Sequence, residues 1–106
     1  MTVVSTAFTE LFVGSPHARV LDFLAERPEL DYTITQLAEG AGVARPTVYK
    51  VVRDFGSRGL LVPSRVVGNS RFYRLDRGSA AVRELLRIEP ALATASRRRR
   101  RVARRS

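Results

Sequence analysis

The sequence predicts an α+β fold that is mainly helical, with three helices, a two-stranded β-hairpin and a further C-terminal helix. Apolar residues recur at i, i+3, i+4 and i+7 from Ile34 to Ala41, and again over residues 48–55. That period places them on one face of a helix, so it predicts two adjacent amphipathic helices. Two runs rich in β-forming residues, 60–67 and 71–75, flank a Gly-Asn-Ser turn and predict the hairpin.

Local signals place the starts of the first two helices. Ser15 and Pro16 combine a capping side chain with proline at the first helical position, and Pro28 should stop the helix that they begin. Thr33 and Gln36 have the spacing of a capping box, in which the hydroxyl accepts from one backbone amide and the glutamine side chain bonds back to another. The second helix should therefore begin at Thr33.

The turn between the second and third helices is rich in glycine. We expect Gly40 and Gly42 to end the second helix, because glycine adopts positive φ without a Cβ clash. Ala44 lacks the side chain of a good N-cap for the third helix, which costs about 1 kcal/mol. Pro46 partly compensates, since its φ is already near the helical value.

Composition bounds the class of protein. A chain of 106 residues has room for one modest core. The net charge is +9, but seven of the 19 basic residues lie in the last ten positions, and the remainder carries 12 basic against 10 acidic residues. Whether the folded part binds nucleic acid therefore depends on where its charges lie. The opening residues do not resemble a signal peptide and no apolar run is long enough to span a membrane, so we predict a cytoplasmic protein.

The sequence argues against an enzyme. It has no cysteine and a single histidine, His17, which we interpret as a surface or packing residue, so the usual metal-ligand sets are missing. The carboxylates form no visible pair, and the only glycine-rich turn lacks the preceding strand and later glycine of a phosphate-binding loop. We expect no cofactor and no metal.

Four positions carry a family resemblance. Ala38 is small where two helices would meet, Gly42 lies in the turn, and Val48 and Val51 anchor the next helix. This spacing, followed directly by a hairpin, resembles the winged helix-turn-helix family of DNA-binding proteins, of the prokaryotic and archaeal transcriptional regulator type. The resemblance covers about residues 15–75. An ordinary αα-hairpin in a helical protein is the alternative.

The resemblance implies a DNA-binding surface. The third helix would be the recognition helix in the major groove, with Thr47 and Lys50 at base edges and Tyr49 and Arg53 at marginal bases or phosphates. Its full predicted set is Arg45, Pro46, Thr47, Tyr49, Lys50 and Arg53. Thr35 and Gln36 would bind a phosphate at the start of the preceding helix. The predicted wing residues, which would reach the backbone or the minor groove, are Arg65, Asn69, Arg71 and Arg74.

The ends of the chain carry their own predictions. We divide the sequence into an N-terminal segment with a short helix (1–14), the winged domain (15–78), a C-terminal helix capped by Ser79 (79–96) and a disordered arginine-rich tail (97–106). The C-terminal helix either covers its own domain or forms a dimer. The expected dimer residues are Val82, Leu85, Leu86 and Leu92.

The tail should bind phosphate without sequence preference. If it neutralises six or seven phosphates, the log-affinity should fall against log salt with a slope of about −5 to −6. The residues concerned are Arg97, Arg98, Arg99, Arg100, Arg101, Arg104 and Arg105.

The leading hypothesis is a sequence-specific regulator of transcription that binds double-stranded DNA as a homodimer. The alternative is an RNA- or ribosome-associated protein, or a winged-helix module that binds another protein. No exposed aromatic platform favours RNA, with Tyr49 and Phe72 the only candidates. The operator, the direction of regulation and any small-molecule effector leave no mark in the sequence.

Overall fold

A computed structural model describes residues 14–90 of the chain. The elements are α1 (Pro16–Glu26), α2 (Ile34–Ala41), α3 (Arg45–Ser57), β1 (Leu61–Val67) and β2 (Ser70–Leu75), followed by α4, whose described part is residues 80–90. The strands pair antiparallel. This order confirms the predicted mainly helical winged helix-turn-helix architecture, whereas the predicted N-terminal helix and the arginine tail lie outside the described residues. Over residues 14–90, no helix is long and apolar enough to cross a membrane.

One apolar core joins the helices to the base of the hairpin. The stripes predicted for α2 and α3 face this core, as does the stripe of α1. The buried apolar residues are Val20, Leu21, Leu24, Ile34, Leu37, Ala38, Val48, Val51, Val52, Phe55, Leu61, Leu75 and Val82. Burying one face of each helix leaves the opposite face of α3 in solvent, where it can meet a partner.

The helix starts follow the local sequence signals. The Ser15 hydroxyl accepts from the Ala18 amide at 3.1 Å and caps α1. In α2 both bonds of the capping box form: the Thr33 hydroxyl accepts from the Gln36 amide at 3.2 Å, and the Gln36 side-chain oxygen accepts from the Thr33 amide at 2.9 Å. No side chain caps α3 at Ala44, as predicted.

The two turn glycines have different roles. Gly42, with φ of 68°, ends α2, and its amide donates to the Ala38 carbonyl. Gly40 lies inside the helix, so its predicted role as a terminator is wrong. A Cβ built on Gly40 would lie 2.3 Å from the Phe23 ring of α1. The Phe23 ring therefore packs over Gly40, in the space that a side chain at this position would occupy.

The hairpin has a two-residue turn and one irregularity. Gly68, with φ of 60°, and Asn69 connect Val67 to its partner Ser70. The register shifts between Pro63 and Arg65, which leaves Ser64 without a partner across the hairpin and forms a bulge in β1.

Both sides of β2 are paired. Tyr32, just before α2, forms an isolated bridge to Tyr73 on the side of β2 away from β1, with N–H···O distances of 2.8 Å in both directions. Within the described chain, β1 is therefore the edge strand. This agrees with the prediction that Pro63 lies at an edge or an interruption.

The start of α4 belongs to the domain core. The Ser79 hydroxyl accepts from the Val82 amide at 3.4 Å, in agreement with its predicted capping role. Val82 is fully buried, and Leu85 and Leu86 are half-buried against the core. Since Val82 has no exposed surface, it can support a dimer only by holding the helix in place. Leu92 lies outside the described residues.

Candidate nucleic-acid interface

The outer face of α3 carries polar side chains that make no polar interaction within the domain. Arg45, Tyr49, Lys50 and Arg53 are exposed, and Thr47 is half-buried. Over residues 14–90, none of these five side chains forms a hydrogen bond or an ion pair. Their donors and acceptors are therefore available to a ligand, while the opposite face of the helix is fixed in the core.

A groove joins the start of α2, the N-terminal half of α3 and the tip of the hairpin. It has a volume of about 480 Å³, and its lining includes five of the predicted site residues, Thr35, Arg45, Tyr49, Asn69 and Arg71. Thr33, Ser70 and Tyr73 add hydroxyl groups, and no carboxylate lines it. Three elements thus form one surface that is basic and rich in hydrogen-bonding groups.

The start of α2 offers fewer free groups than the sequence predicted. Thr35 is exposed and lines the groove. The side-chain oxygen of Gln36 is occupied by the Thr33 amide within the capping box. Only the amide NH₂ of Gln36 therefore remains to bind a phosphate.

The four predicted wing residues do not lie on one surface. Along β2, Arg71 and Tyr73 share one face while Phe72 and Arg74 share the other, because side chains alternate along a strand. Arg71 and Asn69 line the groove beside α3. Arg65 pairs across the hairpin with Phe72 and so lies on the opposite face with Arg74.

Arg65 is held by the domain itself. Its Nε donates to Asp31 Oδ2 at 2.9 Å and its Nη2 to Asp31 Oδ1 at 3.3 Å. Ser64 Oγ donates to Asp31 Oδ2 at 2.6 Å, and the guanidinium lies 4.2 Å from the centroid of the Phe72 ring. The hydrogen bonds from Arg65, and then that from Ser64, lower the pKa of the Asp31 carboxyl below its usual value.

Two side chains of α1, His17 and Arg19, hold the helix-turn-helix. His17 Nε2 lies 2.8 Å from Asp54 Oδ2 of α3, and its ring meets that of Phe55 edge-on at 5.5 Å. Arg19 Nη1 donates to the Gly42 carbonyl at 3.3 Å, in the turn before α3. Neither pairing has a sequence signal, because each joins residues far apart in the chain. In the described part, no cluster of histidine and carboxylate side chains fits a metal ion.

Comparison with known proteins agrees with this geometry. Residues 18–64 match the model of the IclR helix-turn-helix domain. A MarR-family transcriptional regulator from Silicibacter pomeroyi is 27% identical with a TM-score of 0.56, over 83% of this chain and 60% of that protein. The AntR antimony-specific transcriptional repressor is 19% identical with a TM-score of 0.59, over 92% of this chain and 90% of that protein, which shows a shared fold.

One enzyme shares part of the fold. Human N-acetylserotonin methyltransferase matches at 21% identity and a TM-score of 0.50, over 67% of this chain but only 20% of the enzyme. The chain therefore spans about 60% of the length of the Silicibacter regulator and one fifth of the methyltransferase. No curated protein matches the sequence significantly.

Proposed function

We propose that this chain, which has a winged helix-turn-helix fold, regulates transcription by reading double-stranded DNA with α3. The groove shared by α2, α3 and the hairpin tip is the observation that carries the proposal. Its five predicted DNA-binding residues come from three elements, and its lining includes two arginines and no carboxylate. Such a surface suits a ligand that presents regularly spaced phosphates beside hydrogen-bonding base edges.

The dimensions of DNA fix how the surface would be used. The major groove of B-DNA accepts one α-helix, and its base edges distinguish all four base pairs. With α3 in the major groove of DNA, Lys50 and the exposed part of Thr47 meet base edges. Tyr49 and Arg53 meet flanking bases or phosphates, and Arg45 lies at the N-terminal end of the helix. Pro46 is exposed in the first turn of the helix, next to these contacts.

The groove face of the wing would follow the neighbouring backbone. Asn69 and Arg71 extend the basic surface from α3 to the hairpin tip. Arg74, on the other face of β2, reaches DNA only if the backbone passes around the wing. Arg71 is therefore the principal wing contact in this proposal.

Self-association and the tail complete the proposal. We infer a homodimer in the cytoplasm, with the half-buried Leu85 and Leu86 of α4 at its edge, that reads an inverted repeat. The arginine tail adds affinity and sliding without sequence preference. The protein carries out no catalysis of its own. Sedimentation at micromolar concentration that found only monomer would remove the inverted-repeat prediction.

A competition assay tests the choice of nucleic acid. The full chain, and a chain ending at Ser96 that lacks the arginine tail, are each bound to labelled duplex DNA in moderate salt and challenged with unlabelled duplex DNA or with structured RNA of the same length. The proposal predicts that duplex DNA competes at least tenfold better, because α3 fits the major groove of B-DNA and not the deep, narrow major groove of A-form RNA. Equal competition by RNA would contradict it and favour the RNA-associated alternative.

A further inference from the structure

A clamp between the segment before α2 and the edge strand of the wing is not used by the proposed DNA contacts. It consists of Asp31, Ser64, Arg65 and Phe72 on the face of the hairpin away from the groove. Asp31 accepts hydrogen bonds from two consecutive residues of β1, 33 and 34 positions along the chain. This clamp is the strongest feature outside the groove.

The bulge in β1 makes the clamp possible. In a regular strand Ser64 and Arg65 would point to opposite faces. The register shift between Pro63 and Arg65 breaks that alternation, and both side chains reach Asp31. Bulges re-aim side chains, and this one lets Ser64 and Arg65 bind the same carboxylate.

A second contact lies one residue further along the chain. Tyr32 bridges to Tyr73 of β2 with two backbone hydrogen bonds of 2.8 Å. The dipeptide Asp31-Tyr32 therefore holds both strands of the hairpin, β2 through its backbone and β1 through a carboxylate. It leads directly into Thr33, which caps α2 and lines the groove.

We propose that Asp31 is a positioning residue that fixes the wing relative to α2 and α3 by engaging Arg65 and Ser64. This inference rests on the proposed function. Arg65 is then a part of the scaffold rather than a phosphate contact, although the sequence resemblance implies a DNA contact for it. The clamp determines where Asn69 and Arg71 stand beside the recognition helix, and hence which bases flanking the α3 contacts the protein prefers.

Affinity and its salt dependence separate the two roles of Arg65. DNA selected by the full wild-type chain is titrated with Asp31→Asn, Arg65→Gln and Ser64→Ala at several salt concentrations. A positioning role predicts that Asp31→Asn and Arg65→Gln each weaken binding by about two- to fivefold, that the double variant is no worse than either, and that the salt slope is unchanged. Ser64→Ala, which removes one hydrogen bond and no charge, should lie between them and the wild type.

A matched control variant and an exchange of Asp31 with Arg65 test the positioning role further. Glu29→Gln removes an exposed carboxylate two positions away that forms no hydrogen bond or ion pair over residues 14–90, and should leave binding within twofold. Exchanging the two residues, Asp31→Arg with Arg65→Asp, should restore part of the affinity for DNA that each of these substitutions removes on its own. Base preference at the flanking positions should weaken in Asp31→Asn while the preference at the α3 positions stays, a split that general destabilisation does not produce.

Several results would overturn the inference. Tighter binding and a steeper salt slope in Asp31→Asn would mean that the freed Arg65 grips phosphate. A slope reduced by about 0.9 in Arg65→Gln would identify a direct phosphate contact. An Asp31→Asn variant that behaves like Glu29→Gln would remove the positioning role.

The same experiment distinguishes the inference from the proposed function. A wild-type chain that selects no sequence contradicts the proposed function itself. Amide exchange at Tyr32 and Tyr73 then reports the clamp alone: it should accelerate in Asp31→Asn and not in Glu29→Gln. Unchanged exchange in Asp31→Asn would contradict the clamp whatever the DNA result.

Discussion

The α3 helix and the hairpin differ in whether the domain itself binds their basic side chains. In α3, the side chains of Arg45, Lys50 and Arg53 form no hydrogen bond or ion pair within residues 14–90, although the other side of the helix is locked into the core. In β1, Arg65 has two hydrogen bonds to Asp31 and a ring beneath it. A basic residue on the proposed DNA-binding surface is therefore a candidate contact only when the fold leaves it free, and on the hairpin Arg65 is the one that Asp31 holds.

The largest expected effect tests the free side chains of α3. Thr47→Ala with Lys50→Ala should weaken binding to the selected sequence by about 10- to 100-fold for each base interaction that is removed, while binding to unrelated DNA changes much less. Titration of both DNAs with both proteins measures the ratio. Equal weakening on the two DNAs would show that these residues contact only backbone, and the distinction between α3 and the wing would fail.

The next effect tests how firmly the core holds the helix-turn-helix. Gly40→Ala should reduce the free energy of unfolding by about 1 kcal/mol, because the Phe23 ring has to leave its packing against Tyr32 to make room for the new Cβ. Gly56→Ala is the matched control: its Cβ would meet only the Leu61 carbonyl oxygen at 3.9 Å, and alanine is a better helix former, so about 0.5 to 1 kcal/mol of stabilisation is expected. Urea unfolding measures both, and a Gly40→Ala protein as stable as wild type would contradict this prediction, since the Phe23 ring would then move aside without loss of packing.

A third experiment compares the two faces of the wing. Arg71→Gln should reduce the magnitude of the salt slope by about 0.9, as expected when one phosphate is no longer neutralised. Arg74→Gln removes the same charge from the other face of β2 and should leave the slope nearly unchanged. If the two variants gave equal slopes, the groove face would have no special role.

The smallest expected effect is the loss, in acid, of the stability that the Asp31–Arg65 pair provides. Hydrogen bonds from Arg65 and Ser64 lower the pKa of Asp31 in the folded state. The ionised carboxylate therefore stabilises the fold at pH values above the ordinary aspartate pKa of about 3.9. This stabilisation disappears as the pH falls through the lowered pKa. The stability difference between wild type and Asp31→Asn should be present at pH 6 and vanish in strong acid. A difference that persisted at the lowest pH would have to come from the asparagine itself.

What the sequence predicted correctly was local. Caps such as Thr33 with Gln36, and the apolar stripes of α2 and α3, depend on residues within one or two turns, so the periodicity carries the information. The role of Gly40 was predicted wrongly because the reason for it is the Phe23 ring on another helix. Nothing near Gly40 in the sequence indicates that approach.

In the candidate site, too, the local features could be predicted and the long-range contacts could not. The free residues of α3 follow from the helix period, since the side that is not apolar must face solvent. The commitment of Arg65 depends on a bulge that breaks the strand alternation and on a carboxylate 34 positions away. Pro63 indicates an interruption in the strand but gives neither its register nor its partner.

Selection from a random duplex DNA library tests the central claim most directly. The full chain and a chain ending at Ser96 are used in parallel, so that non-specific binding by the arginine tail is separated from sequence reading. We expect both proteins to enrich one motif, with the shorter chain binding it more weakly and with less salt dependence. Failure of both to enrich any sequence would contradict a sequence-reading regulator, because the groove beside α3 would then grip only backbone or bind a different partner.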